Sequence, residues 1–207
     1  MKIRYTLGLA PLVGLAAFVA AGDVRADGPG AYRPKEPSAL ANPEQGAIDA
    51  YNEGFAIIRQ AELPGTTQDD ARKAYRDALA KFELAAQRDS SMHEAFTYIG
   101  YANRKLGDYP KALDAYEKAL RINPDYPHAI EYQGEAFLGL NRLDEAKFNY
   151  LRLYAIAPTQ ADKLLDAMQR WVAQNSAKAP TGVDAQTFAA WVATRTPVGN
   201  TRSSSGW

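Results

Sequence analysis

The sequence contains no cysteine among its 207 residues. Disulfides, thiolate metal sites and a cysteine nucleophile are therefore excluded. There is no excess of charge either, since 24 basic and 24 acidic residues balance, and a neutral chain gives no indication of nucleic-acid binding. The only two histidines, His93 and His128, do not have the spacing of zinc ligands. We expect no metal site and no cofactor.

Catalytic motifs are also missing. The chain has no glycine-rich phosphate loop and no Gly-x-Ser-x-Gly sequence. Paired carboxylates such as Asp69–Asp70 and Asp144–Glu145 lie near predicted helix starts, where the helix macrodipole favours a negative charge. That placement explains them without chemistry, so we predict that the protein is not an enzyme.

The N-terminal residues have the pattern of an export signal. Lys2 and Arg4 give a positive start, residues 6–21 are mostly apolar, and small residues precede Asp27. We predict a signal peptide over residues 1–26, cleaved after Ala26, and hence a periplasmic or secreted protein with no membrane insertion after cleavage. A retained membrane anchor is the alternative, but the apolar run is short for a spanning helix.

The rest of the chain divides by composition. Residues 27–43 are rich in proline and glycine and have few large apolar side chains, which indicates a flexible linker. From Glu44 to about Thr194, apolar residues recur three and four positions apart, the period of amphipathic helices. Residues 196–207 consist mostly of small or polar residues and are predicted to be a disordered tail.

A repeat of 34 residues lies within the helical part. Residues 93–126 placed over residues 127–160 give nine identities, whereas random pairing gives roughly two or three. The identical pairs are Ala95/Ala129, Tyr98/Tyr132, Gly100/Gly134, Ala102/Ala136, Leu106/Leu140, Ala112/Ala146, Tyr116/Tyr150, Ile122/Ile156 and Pro124/Pro158. A glycine inside a helix costs about 1 kcal/mol, so Gly100 and Gly134 are expected to allow close approach of another helix.

This pattern resembles the tetratricopeptide repeat, in which two antiparallel helices carry a small residue, then alanine, an aromatic residue and proline. Gly100, Ala112, Tyr116 and Pro124 stand at those positions. The resemblance implies an all-α, right-handed solenoid of antiparallel helix pairs. It also implies a protein-binding surface along the first helix of each pair.

Three helix pairs and a cap are expected over residues 44–195. The first unit, residues 44–92, is irregular, because residues 62–73 lengthen the distance between its packing residues Gly54 and Ala78. We predict a longer turn there and an extended second helix beginning near Asp69. Residues 93–126 and 127–160 form the regular units of the 44–160 array, and residues 161–195 form a C-terminal capping helix pair that covers the exposed end of the stack.

The candidate partner-binding residues share one face of the first helices, since helix steps of three and four keep side chains aligned. They are Tyr51, Phe55, Glu94, Thr97, Tyr101, Arg104, His128, Glu131 and Glu135. We predict that Tyr51, Phe55 and Tyr101 lie outside the inter-helix core. The family's clamp for a C-terminal carboxylate uses lysine, arginine and asparagine on this face. Here Thr97 and Tyr101 hold matching positions, which argues against that clamp.

The predicted function is a non-catalytic protein–protein interaction adaptor of the cell envelope. It would bind a peptide or helix of another envelope protein and be a monomer or a weak homo-oligomer. Two alternatives remain at this point: a self-associating structural protein, and an accessory subunit of an envelope enzyme or assembly complex.

Overall fold

The computed structural model describes residues 43–175 and 177–197. The predicted signal peptide, nearly all of the predicted linker and residues 198–207 of the predicted tail lie outside this part. Within it the regular structure is entirely helical. The helices are α1 (Pro43–Ala61), α2 (Gln68–Arg88), α3 (His93–Leu106), α4 (Tyr109–Ile122), α5 (Pro127–Gly139), α6 (Leu143–Ile156), α7 (Pro158–Asn175) and α8 (Ala185–Ala193).

The helices form successive pairs in a solenoid. α1 packs on α2, α3 on α4, α5 on α6 and α7 on α8, and each pair also contacts the next. The first helices form one layer, in which α3 contacts α5 and α5 contacts α7. We call the surface of this layer the inner surface. The predicted all-α stack of helix pairs is confirmed.

The first unit is irregular because its second helix is longer than that of the other units. α2 has 21 residues against 14 in α4, and it begins at Gln68, one residue from the predicted start. Its N-cap is Thr67, whose side chain accepts a hydrogen bond from the Asp70 backbone N–H at 3.1 Å. Only residues 62–67 form the connection between α1 and α2.

Glycine allows close helix contact at both predicted positions. A Cβ atom at Gly100 would lie 2.4 Å from Cε1 of Tyr116, and one at Gly134 would lie 2.6 Å from Cδ2 of Leu164. Both partners are fully buried. The glycines therefore occupy places that no larger side chain can take without displacing the core.

The turn inside each regular unit uses the same left-handed backbone. Gly107 has φ 88° and Asn141, 34 residues later, has φ 59°. Asparagine tolerates this conformation better than most residues. The Asn141 side chain also accepts a hydrogen bond from Nε1 of Trp171 in α7 at 3.1 Å, which connects this turn to the cap.

The cap covers the end of the stack as predicted. On α7, Leu164, Leu165, Met168 and Trp171 are buried, and on α8 Phe188 is buried with them in one cluster. The rings of Trp171 and Phe188 meet edge to face at 5.3 Å between centroids.

Candidate protein-interaction surface

Aromatic side chains form a continuous strip across α1, α3 and α5, the first helices of the first three pairs. We call Tyr51, Phe55, Tyr98, Tyr101 and Tyr132 the aromatic strip. The ring centroids of Phe55 and Tyr98 are 5.4 Å apart, those of Tyr98 and Tyr101 5.9 Å, and those of Tyr101 and Tyr132 4.9 Å. Aromatic pairs at these separations attract each other beyond their burial. The strip therefore links α1, α3 and α5 along the inner surface.

Phe55 is the most exposed member of the strip, at 37%. Tyr51 lies beside it, with ring centroids 6.3 Å apart, and is half-buried. Burial and neighbouring groups raise the pKa of the Tyr51 hydroxyl above its usual value. This end of the strip offers apolar area to a partner.

Tyr101, by contrast, belongs to the core, and the expectation that it lies outside the core is wrong. It is 9% exposed and packs in one cluster with Tyr75 and Phe82. Its hydroxyl donates a hydrogen bond to the Glu62 carboxylate. Glu62 comes from the connection between α1 and α2, and it also lies 3.7 Å from Nζ of Lys105. The irregular connection thus fixes Tyr101 in place.

Thr97 is the second correction. Its side chain is fully buried, and its hydroxyl donates to the backbone oxygen of His93 one helical turn earlier, at 2.8 Å. A threonine on the predicted face can satisfy its hydroxyl in this way within its own helix. Thr97 therefore has no surface to offer a partner.

Arg104 and Glu135 form an ion pair between α3 and α5, with Nη1 and Oε2 2.5 Å apart and both side chains less than 20% exposed. The guanidinium also lies over the rings of Tyr101 and Tyr132, at 5.2 and 5.6 Å from the centroids. Both predicted residues thus lie at the inner surface, but each charge already has a partner.

Glu131, on α5, is a buried carboxylate among the predicted partner-binding residues. It is 4% exposed, and its Oε2 has no hydrogen-bond partner among the described residues. Burial raises the pKa of its carboxyl to about 7, a shift that Lys163 of α7 and Arg104 oppose and Glu135 reinforces. The protein therefore holds a carboxylate that is poorly solvated and incompletely paired.

The remaining predicted residues, His128 and Glu94, lie near Glu131 or at the edge of the aromatic strip. Burial lowers the pKa of the half-buried His128, whose ring lies 6.1 Å from that of Tyr132. Glu94 is partly exposed, 3.4 Å from Nδ1 of His93. The structure thus brings Tyr51 and Phe55 together at one end, and Glu131 and Glu135 together on α5.

Four residues of this surface were not predicted. Tyr98 and Tyr132 were identified as repeated positions only, although that repetition places them at equivalent points of adjacent first helices. The ring of Tyr126 packs at a tilt of 53° against that of His93, with centroids 4.4 Å apart. Lys163 acts electrostatically on Glu131 from the next helix pair, and no feature of the sequence indicates this interaction.

The comparisons with known proteins agree with this geometry. Residues 93–126 match the tetratricopeptide repeat. Among curated proteins, 90 residues are 27% identical to anaphase-promoting complex subunit 3 of Schizosaccharomyces pombe. That match covers 44% of this chain and 14% of the relative, so the chain spans a small part of its length.

Solved structures of tetratricopeptide domains share the fold. One is the first such domain of Spaghetti (RPAP3) bound to the HSP90 peptide SRMEEVD, with a TM-score of 0.51 and 22% identity, covering 61% of this chain and 94% of that one. Another is the second domain of human RPAP3 in complex with the HSP70 peptide SGPTIEEVD, with a TM-score of 0.50 and 20% identity over 60% and 95%. At these identities the likeness establishes the solenoid fold.

Two other features, a metal-binding cluster and a membrane-spanning helix, are absent from the described residues. No group of three or more histidine, aspartate or glutamate side chains is arranged to hold a metal ion there. Among the same residues, no helix has the length and hydropathy needed to cross a membrane.

Proposed function

We propose that the protein is a non-catalytic adaptor whose inner surface binds a peptide segment or a helix of another protein. The observation that carries this proposal is the aromatic strip, which ends in the exposed Phe55. Large, rigid aromatic side chains are favoured anchors of interfaces, because they bury much area and lose little rotamer entropy. A strip of this kind, shared by three adjacent helices, suits an elongated ligand.

The structural relatives support the same use of the fold. Both RPAP3 domains are bound to peptides, and they match most of their length to this solenoid. Their peptides end in EEVD. In this protein, Thr97 and Tyr101 stand at positions that match the family's clamp for a C-terminal carboxylate. Thr97 is buried, and Tyr101 is hydrogen-bonded to Glu62. The partner of this protein is therefore expected to differ in chemistry.

We propose a cell-envelope location for this adaptor, which the export pattern in residues 1–26 supports. Mass spectrometry of the protein recovered from its host tests this part. An N terminus at Asp27 supports export, and an intact Met1 in the cytoplasmic fraction contradicts it.

The binding proposal is tested by affinity capture from an envelope extract with the full chain as bait. Phe55→Ala removes the exposed anchor of the inner surface. Phe148→Ala is the matched control, because Phe148 is exposed on α6, outside the inner layer. A protein retained by the wild type and the control but lost with Phe55→Ala supports the adaptor function. Equal capture by all three baits contradicts it.

Self-association is a second candidate, favoured by one observation on α6. This helix is apolar on two faces: Tyr150 and Leu153 are buried, whereas Phe148, Leu151 and Tyr154 are 65%, 52% and 51% exposed. Sedimentation velocity over a range of concentrations tests it. A dimer that the double substitution Phe148→Ser and Leu151→Ser abolishes supports this function, and a monomer at every concentration excludes it.

A further inference from the structure

The carboxylates near the inner surface differ in their partners. Glu135 is paired with Arg104 at 2.5 Å, and Glu62 accepts from Tyr101 and lies 3.7 Å from Lys105. No ion pair joins Glu131 to another described residue, and its Oε2 accepts no hydrogen bond from the described residues. Glu131, the least solvated of these three carboxylates, is therefore the one whose set of partners is incomplete.

An unpaired buried carboxylate destabilises a fold unless something else compensates it. A core role does not explain this residue, because a glutamine or an apolar side chain of similar volume fills the same space at less cost. Groups of this kind are characteristic of functional sites, where the missing partner belongs to the ligand.

The surroundings of Glu131 favour a cation. Tyr98 and Tyr132 lie close enough for its charge to contribute, after burial, to the raised pKa values of their hydroxyls. Aromatic faces beside a carboxylate attract ammonium and guanidinium groups. Arg104 already shows this geometry, since its guanidinium lies over the rings of Tyr101 and Tyr132.

We propose that Glu131 is a recognition site for a lysine or arginine side chain of the bound segment. This inference rests on the proposed peptide-binding function and specifies the chemistry of the partner. The incoming cation pairs with the carboxylate of Glu131 between α5 and α7. Lys163, a competing cation that acts on Glu131, is exposed and forms no ion pair in the described part of the chain, so the ligand can displace it.

The proposed site prefers a ligand whose charge is opposite to that of the peptides bound by the structural relatives. SRMEEVD and SGPTIEEVD each end in two glutamates, a valine and an aspartate. On this inner surface Arg104 is ion-paired with Glu135, whereas Glu131 forms no ion pair with a described residue. An acidic peptide is therefore repelled where a basic one is attracted.

The test is a selection from a random library of displayed 12-residue peptides, with the full chain immobilised at pH 8. Wild type, Glu131→Gln and Glu117→Gln are compared. Glutamine keeps the shape of Glu131 and removes the charge, and Glu117 is an exposed carboxylate on α4 that serves as the control. Circular dichroism first verifies that all three proteins are folded.

The expected result is enrichment of lysine or arginine at a fixed position of the peptides selected by wild type and Glu117→Gln. The best peptide, resynthesised, is expected to bind Glu131→Gln at least roughly tenfold more weakly, as for loss of a hydrogen bond to a charged group. Enrichment of acidic or purely apolar peptides overturns the inference but leaves the peptide-binding function standing. Selection of no peptide by the wild type overturns both.

Discussion

Substitution of Glu131 by glutamine should make the stability of the protein less dependent on pH. Burial raises the pKa of this carboxyl from 4.5 to about 7 in the folded chain. A group whose pKa is raised on folding contributes stability that is complete below its unfolded pKa and is lost as the pH rises through its folded pKa. The ionised Glu131 therefore destabilises the fold at alkaline pH, and glutamine does not.

The magnitude follows from the two pKa values. One pKa unit corresponds to about 1.4 kcal/mol, so the full shift corresponds to about 3 kcal/mol. Linkage gives a cost of about 1 kcal/mol at pH 5 and about 3 kcal/mol at pH 8. In a folded region of this size, 1 kcal/mol changes the Tm by roughly 2–4 °C. Glu131→Gln is thus expected to raise the Tm by about 6–12 °C at pH 8 and by about a third of that at pH 5.

Several charged and titratable groups act electrostatically on Glu131 in the folded protein. They are Arg104 and Tyr98 on α3, Tyr116 on α4, Glu135 and Tyr132 on α5, and Lys163 on α7. The tyrosine hydroxyls, with pKa values raised by burial, stay protonated between pH 5 and 8. Because Glu131→Gln leaves these groups and His128 in place, the change in its stabilising effect between the two pH values reports on Glu131.

Thermal melts of wild type and Glu131→Gln at both pH values measure the effect, with Glu117→Gln as the exposed control. The control should leave the Tm unchanged at either pH, because surface carboxylates contribute little. A Glu131→Gln variant that is equally stabilised at pH 5 and 8, or destabilised at pH 8, would refute the argument that burial raises this pKa.

Three further changes test the packing. Gly100→Ala places a Cβ 2.4 Å from the Tyr116 ring and should cost about 1–3 kcal/mol in urea denaturation, whereas Gly46→Ala places its Cβ no closer than 3.0 Å to the Arg88 side chain and should cost less. Tyr101→Phe loses the hydrogen bond to the α1–α2 connection and should cost about 1 kcal/mol, while Tyr101→Ala should cost about 3 kcal/mol or more. Thr67→Ala removes the N-cap of α2 and should cost about 1 kcal/mol by the same assay.

Each change has an outcome that contradicts it. Equal stabilities of Gly100→Ala and Gly46→Ala would mean that the close contact with Tyr116 is wrong. A Tyr101→Ala variant as stable as wild type would return Tyr101 to the exposed face that its position in the repeat suggests. An unchanged stability of Thr67→Ala would place the start of α2 elsewhere.

The sequence determined the repeated architecture by itself. The 34-residue period, the interior glycines and the breaks at Pro124 and Pro158 are local features, and each has a local physical reason. Amphipathic helices joined by short turns must bury their apolar faces against a neighbour, and a repeat supplies that neighbour at a constant distance. The helix pairs, the long α2 and the cap were therefore predictable.

Only the tertiary structure decided how buried each inner-surface residue is and which groups surround it. Helical periodicity places Thr97, Tyr101 and Glu131 on one face, but burial depends on what lies opposite that face. Tyr101 is covered because Glu62, 39 residues earlier, reaches it from an irregular connection. Glu131 is buried and interacts electrostatically with residues of α3, α4 and α7, whose approach is set by the stacking of whole helix pairs. Solvation, and hence pKa, is a property of that three-dimensional neighbourhood, which no spacing along one helix encodes.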